Sequence, residues 1–188
     1  MIDMSGCSVE SFRKEVSVRE FMETCVDVPR FLRCCQACPT YGKTWSCPPY
    51  DFSSEDIWKS YKSLLLIGKK VIVPQDLREK TFQKAEVAMV CNKLLAPFKH
   101  ALLMELLALE AEHPGSMALS AGKCEICVVC TRLQNLPCRN PHLCRYSIEA
   151  LGGDVVQAVE KYFGEKLIWE KEGHLPQHLF LIGGLLKP

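Results

Sequence analysis

Residues 124–138 read Cys124-Glu-Ile-Cys127-Val-Val-Cys130-Thr-Arg-Leu-Gln-Asn-Leu-Pro-Cys138, with Arg139-Asn140-Pro141 directly after. This run constrains the chain more than any apolar pattern in it. Three thiolates in close succession, with a fourth one short loop later, can converge on one compact inorganic core. A tetrahedral zinc site more often takes a close pair of cysteines from each of two loops, so the uninterrupted run favours iron-sulfur over zinc, and zinc over no metal. Four thiolates are what one 4Fe-4S cluster needs, and Cys124, Cys127, Cys130 and Cys138 are the expected metal ligands. The spacing departs from the bacterial ferredoxin run, in which a proline follows the last cysteine; here Pro137 precedes Cys138 and Arg139 follows it. Arg139 and Arg145 are close enough in sequence to donate to cluster sulfurs or offset the cluster's negative charge, so both are cofactor-binding candidates. Arg132 reads equally well as part of a solvated face.

A second cysteine group stands earlier in the chain. Cys34-x3-Cys38-x8-Cys47 supplies three separated thiols within residues 34–50, a stretch rich in proline and glycine that reads as an ordered loop packed by Tyr41, Trp45 and Tyr50. It does not match the C-x3-C-x2-C spacing of radical S-adenosylmethionine enzymes, so that chemistry is not supported. Three protein ligands would leave a metal vertex open for water, substrate or a remote side chain. Cys35 would point away from Cys34 in an extended chain, yet either Cys35 or Cys144 could complete this site. His142, between Cys138 and Cys144, is the one histidine worth testing as a ligand. Cys7, Cys25 and Cys91 are isolated and read as small buried apolar residues.

Twelve cysteines fit a compartment that keeps thiols reduced. The first residues show no basic stretch followed by an apolar run, so no secretory leader is expected. The apolar run at residues 101–109 is about half a membrane span and carries Glu105. A cytoplasmic protein with no membrane partner follows as the expectation. A formal net charge of +1 with no basic block argues against nucleic acid as a partner. Apolar and charged fractions of 48% and 24% are those of an ordinary globular chain. Its 188 residues fit a single domain with two cysteine-rich metal-binding segments, at about 34–50 and 122–144.

The apolar spacing from Ser8 to Glu23 suits short amphipathic helical or mixed structure, interrupted at Pro29. Ser53 or Ser54 caps a helix through Tyr61. Residues 64–67 and 71–73 read as one or two buried strands, and residues 76–113 as a long helix kinked or broken near Pro97, its 101–109 portion buried on most faces. Residues 116–120 form a strand, residues 146–151 a helix, and Asp154 caps a further helix that Gly164 closes. Residues 167–169 and 179–182 flank a turn and could pair as a terminal hairpin. The fold class expected is α+β, a small sheet with helices packed on one face and a cysteine-rich metal-binding lobe.

Three stretches, taken jointly, carry a family resemblance. They are Cys34-x3-Cys38-Pro-x-Tyr41-Gly42-x2-Trp45-x-Cys47-Pro48-Pro49-Tyr50, then Gly122-Lys-Cys124-x2-Cys127-x2-Cys130-x7-Cys138-Arg139-x-Pro141, and Ser147-x-Glu149-Ala150-x-Gly152-x-Asp154-Val155. In this order they resemble the predicted metal-binding proteins called domain of unknown function 2284. The resemblance implies a prokaryotic, cytoplasmic protein of about one domain with metal ligands at Cys34, Cys38, Cys47, Cys124, Cys127, Cys130 and Cys138. It implies no substrate.

Three functions compete on these grounds. The leading one is an iron-sulfur protein with one or two 4Fe-4S clusters that accepts or passes electrons, whose partner would be a redox protein. The second is an enzyme whose cluster on Cys34, Cys38 and Cys47 binds a small-molecule substrate at an open iron. The third is a zinc-stapled structural or binding module.

Overall fold

A computed structural model of the chain describes residues 6–188; the reading of the N-terminus as lacking a leader falls largely outside them. The centre of the fold is a four-stranded antiparallel sheet in the order β1-β2-β4-β3, built from β1 (Ser8–Ser17), β2 (Ser63–Ile72), β3 (Met117–Leu119) and β4 (His178–Lys187). Six α-helices complete an α+β architecture: α1 (Val18–Cys25), α2 (Val28–Gln36), α3 (Ser54–Lys59), α4 (Gln75–Arg78), α5 (Lys84–Glu112) and α6 (Val155–Phe163).

The alternation of side chains along β2 divides the core in two. Leu64 and Leu66 pack with Phe21, Trp58 and Val159, the layer of α1, α3 and α6. Leu65 and Ile67 face the other way, onto Leu102 and Leu106 of α5. Leu185 and Leu186 of β4 divide in the same manner. The helices therefore cover both faces of the sheet, not the single face expected, because both inner strands are apolar on both sides. Close approach of α5 requires Gly183: a Cβ there would lie 2.7 Å from the Leu119 carbonyl oxygen and 2.8 Å from Leu106 Cδ1.

Several elements differ from expectation. Residues 8–17 form an edge strand followed directly by α1, the mixed structure of the two alternatives; with Glu10, Arg13, Lys14 and Glu15 along it, the strand is mostly exposed. Residues 63–72 are one strand. The long helix is two elements, and α5 runs unbroken through Pro97, which is exposed on its outer face. In its second half only Leu102 and Leu106 are fully buried, so α5 packs by one stripe. Residues 167–169 form no strand and do not pair with β4, whose residues 178–187 pair with β2 along one edge and with β3 at 184–186 on the other. Residues 149–151 form a single 3₁₀ turn.

Two junctions fix what matters for function. Asp27 caps α2 by accepting a hydrogen bond from Arg30 N at 2.9 Å, and Pro29 sits in the first turn, where a missing N–H costs nothing. Pro29 thus starts a helix that the sequence suggested it interrupts. The start of α2 rests on Gly152, whose φ is +89° and where a Cβ would fall 2.7 Å from both Cα and Cγ2 of Val28. Gly152→Ala should therefore destabilise the protein by more than about 1 kcal/mol, from the left-handed backbone alone, with the clash in addition. Thermal denaturation checks this, and an unchanged melting temperature would show that the α2 junction is softer than it looks.

Candidate metal centre

The cysteine lobe hangs from the sheet as a closed loop. It leaves the sheet after β3 and returns at Tyr146, and the two ends are joined by Ser120 N–H donating to Tyr146 O at 2.7 Å and Ser120 Oγ to Arg145 O at 3.1 Å. Arg145 fastens the lobe to α5: its Nε lies 3.0 Å from both carboxylate oxygens of Glu110, and Nη2 also meets Oε2. Glu110 Oε1 in turn accepts from Ala118 N at 2.7 Å, so one partly buried ion pair joins lobe, helix and strand.

Within the lobe, Cys124, Cys127, Cys130, Cys138 and Cys144 all line one cavity of about 180 Å³. Cys144 lies beside Cys124 and Cys138; its interaction with Cys124 lowers the Cys124 thiol against the opposing effect of burial, while the same interaction and burial raise Cys144. Asn140 Nδ2 donates to Cys127 Sγ at 3.1 Å. Among the described residues no three His, Cys, Asp or Glu side chains meet closely enough to hold a single metal ion. The thiols stand around a space instead, and five soft donors about a cavity of this size could hold a polynuclear thiolate-bound core.

The first cysteine segment forms part of the wall of this cavity. Lys43, Thr44 and Trp45 line it, Ser46 Oγ accepts from Cys124 N at 2.9 Å, and Trp45 Nε1 donates to Leu136 O at 3.1 Å. Arg132 clamps the two segments together: its guanidinium donates to the carbonyls of Thr44, Cys47 and Pro49 and lies 5.2 Å from the Trp45 ring centroid. Arg132 is therefore a bridge, not part of a solvated face.

Cys34 and Cys35 occupy the last turn of α2, not a loop. Successive helical residues point about 100° apart, and it is Cys35 that turns inward, half-buried, while Cys34 is exposed. Burial, then the Cys47 and Cys38 thiols, push the Cys35 thiol up to about 11. Cys38 and Cys47 both reach the Thr40 hydroxyl, at 3.2 and 3.7 Å, and that hydroxyl lowers the Cys38 thiol. In the first group Cys38 and Cys47 share the Thr40 hydroxyl, Cys35 is half-buried near them, and Cys34 and Cys38 are exposed.

Of the arginines singled out as cofactor-binding, Arg139 lines the cavity and donates Nη2 to Val129 O at 2.5 Å. Arg145 lies beside a neighbouring cavity, its guanidinium engaged by Glu110 and the Cys144 carbonyl. His142 is exposed and does not line the cavity. Ser46 and Asn140, which contact the ligand segment most directly, carry no spacing signal that would have found them.

An α+β fold carrying two abutting cysteine segments defines a cysteine-rich, metal-binding type of chain. The profile of the family described as predicted metal-binding protein (DUF2284) matches residues 22–186, and the chain belongs to that family. Among curated proteins and among solved structures nothing matches it. No helix among the described residues is long and apolar enough to cross a membrane.

Proposed function

We propose that this chain is an iron-sulfur protein that accepts and passes single electrons, with one 4Fe-4S cluster held by Cys124, Cys127, Cys130 and Cys138. The observation that carries the reading is the convergence of these four cysteines on one cavity whose wall is completed by the other cysteine segment. When bound, such a cluster supplies one-electron redox chemistry. The chain's own part is to hold and tune. Asn140 donates to a ligand sulfur, Cys144 stands beside Cys124, and Trp45 covers one side against water. Exposed Val128, Val129 and Leu133 surround the cavity mouth, giving a redox partner protein an apolar surface close to the thiols. Segments 34–50 and 122–144 then act as one metal-binding lobe. A cytoplasmic location accords with twelve cysteines of which none forms a disulfide.

Anaerobic purification with iron, sulfide and zinc analysis, and an electron paramagnetic resonance spectrum after reduction, tests this. The expected result is about four irons and four sulfides per chain, or about eight if Cys35, Cys38 and Cys47 carry a second cluster. Stoichiometric zinc without sulfide would overturn the proposal in favour of a zinc-stapled module.

A further inference from the structure

The cysteine cavity has a rim of one sign of charge. Lys43, Lys123 and Arg139 line it, and among the described residues no Asp or Glu does. The same sign runs through the whole lobe: segments 34–50 and 122–144 hold Lys43, Lys123, Arg132 and Arg139 against Glu125 alone. That is a surplus of three positive charges in a chain of formal net charge +1, so the remainder of the chain is negative by two. Arg132 is turned inward onto the carbonyls of Thr44, Cys47 and Pro49, and Lys123 shares Glu125 with Lys99, at 3.4 and 2.9 Å. No carboxylate among the described residues pairs with Lys43 or Arg139, and both are exposed.

Apolar side chains stand in the same rim. Val128 is wholly exposed, and Val129, Leu133 and Leu136 are each more than half exposed. The first three of these line the cavity beside the cations. Cations that served only to offset a cluster's negative charge would need no apolar neighbours in water. An apolar centre with charges around it is instead the anatomy of a protein interface, in which burial holds the complex and rim charges steer its approach. A rim of this sign attracts carboxylates and repels a basic surface.

We propose that this face docks an acidic one-electron carrier protein, whose carboxylates meet Lys43, Lys123 and Arg139 and whose apolar surface covers Val128, Val129 and Leu133. The proposal rests on the electron-transfer reading and deepens it by fixing the charge of the partner. In the complex one electron crosses between the cluster and the partner's redox centre, one being oxidised as the other is reduced, and no bond forms or breaks.

The test uses the full-length, anaerobically purified protein with its iron, sulfide and zinc counted. It is titrated by calorimetry with two probes of opposite charge, an acidic 2Fe-2S ferredoxin and basic cytochrome c. Ionic strength is set at about 10 mM and then about 150 mM, over which the screening length falls from about 30 Å to about 8 Å. The ferredoxin is expected to bind and to weaken at least about tenfold over that change, and cytochrome c to bind at neither salt level. Lys43→Glu and Val128→Asp should each weaken the ferredoxin at least about fivefold at low salt. Lys93→Glu, the same charge change on the exposed side of α5, should alter it by less than about twofold. Preference for cytochrome c, ferredoxin binding that ignores salt, or no ferredoxin binding at low salt overturns the proposal in the wild-type protein alone. Cosedimentation with phosphatidylserine vesicles that Val128→Asp abolishes would overturn it in favour of an anionic membrane surface. With iron and sulfide present, such a failure falls on the docking face only; zinc without sulfide would instead remove the electron-transfer reading on which the partner depends.

Discussion

Cys124→Ser is expected to empty the metal centre, taking iron and inorganic sulfide from about four per chain to below one, whereas Cys144→Ser should leave both in place. Five thiols face a cavity and a single cluster takes four, so the structure poses the question of which one is spare. Cys124 belongs to the proposed ligand set by position: it opens the cysteine run, lines the cavity, and has its backbone N–H held by Ser46 Oγ, which sets the direction of its side chain. Cys144 stands outside that run, beyond Cys138, and is the spare thiol of the five. Losing Cys144 should therefore shift the reduction potential while the iron remains. Cys91→Ser, remote from the lobe, serves as the control for general thiol loss. Should Cys144→Ser empty the centre while Cys130→Ser leaves it full, the ligand set is Cys124, Cys127, Cys138 and Cys144, and the sequence run has misled.

That outcome matters because the run was the legible part of this protein. Candidate ligands that are neighbours in the chain announce themselves through spacing, and the grouping of Cys124, Cys127, Cys130 and Cys138 about one cavity could be expected without tertiary information. The first group was only half legible. Residues 34–50 read as a loop, but Asp27 and Pro29 begin a helix that reaches Gln36, so Cys34 and Cys35 point in different directions from its last turn, with Cys35 the more buried of the two. Ser46 and Asn140 were invisible as site residues, and Arg132 as a clamp, because their partners lie in the other segment or across a fold-back of their own. Strand β4 was foreshortened to residues 179–182 because Gly183 and Gly184 look like the end of a strand, when α5 and Leu65 in fact need that space. Glu149 lay in plain sight within a family motif. That its Oε2 is left unmatched is a property of the packed fold, and no pattern of neighbours in sequence encodes it.

The 3₁₀ turn bearing Glu149 is held by Trp58, and Trp58→Ala should be the most destabilising single change away from the cysteines. The indole is fully buried, lies tilted at 35° with its centroid 5.3 Å from the Phe21 ring, and donates Nε1–H to the Leu151 carbonyl at 2.9 Å. Truncating a buried tryptophan costs about 3–5 kcal/mol in lost contacts and cavity. The orphaned Leu151 carbonyl adds about 1–3 kcal/mol. Set against a total stability of about 5–15 kcal/mol for an ordinary domain, the sum removes most of the margin. Trp58→Phe separates the two contributions, since it keeps a ring against Phe21 and loses only the hydrogen bond and some volume. It should fold, retain iron and melt at a temperature between wild type and Trp58→Ala. Because Leu151 precedes Gly152, where α2 begins to pack, the lost bond should also loosen the segment that carries Cys35, seen as faster amide exchange at residues 28–36. Circular dichroism melting and hydrogen exchange read both effects. If Trp58→Ala melts within a few degrees of wild type, the layer of α1, α3 and α6 is not what anchors that turn, and the link from core to cysteine segment must run through Arg30 and Asp154 instead.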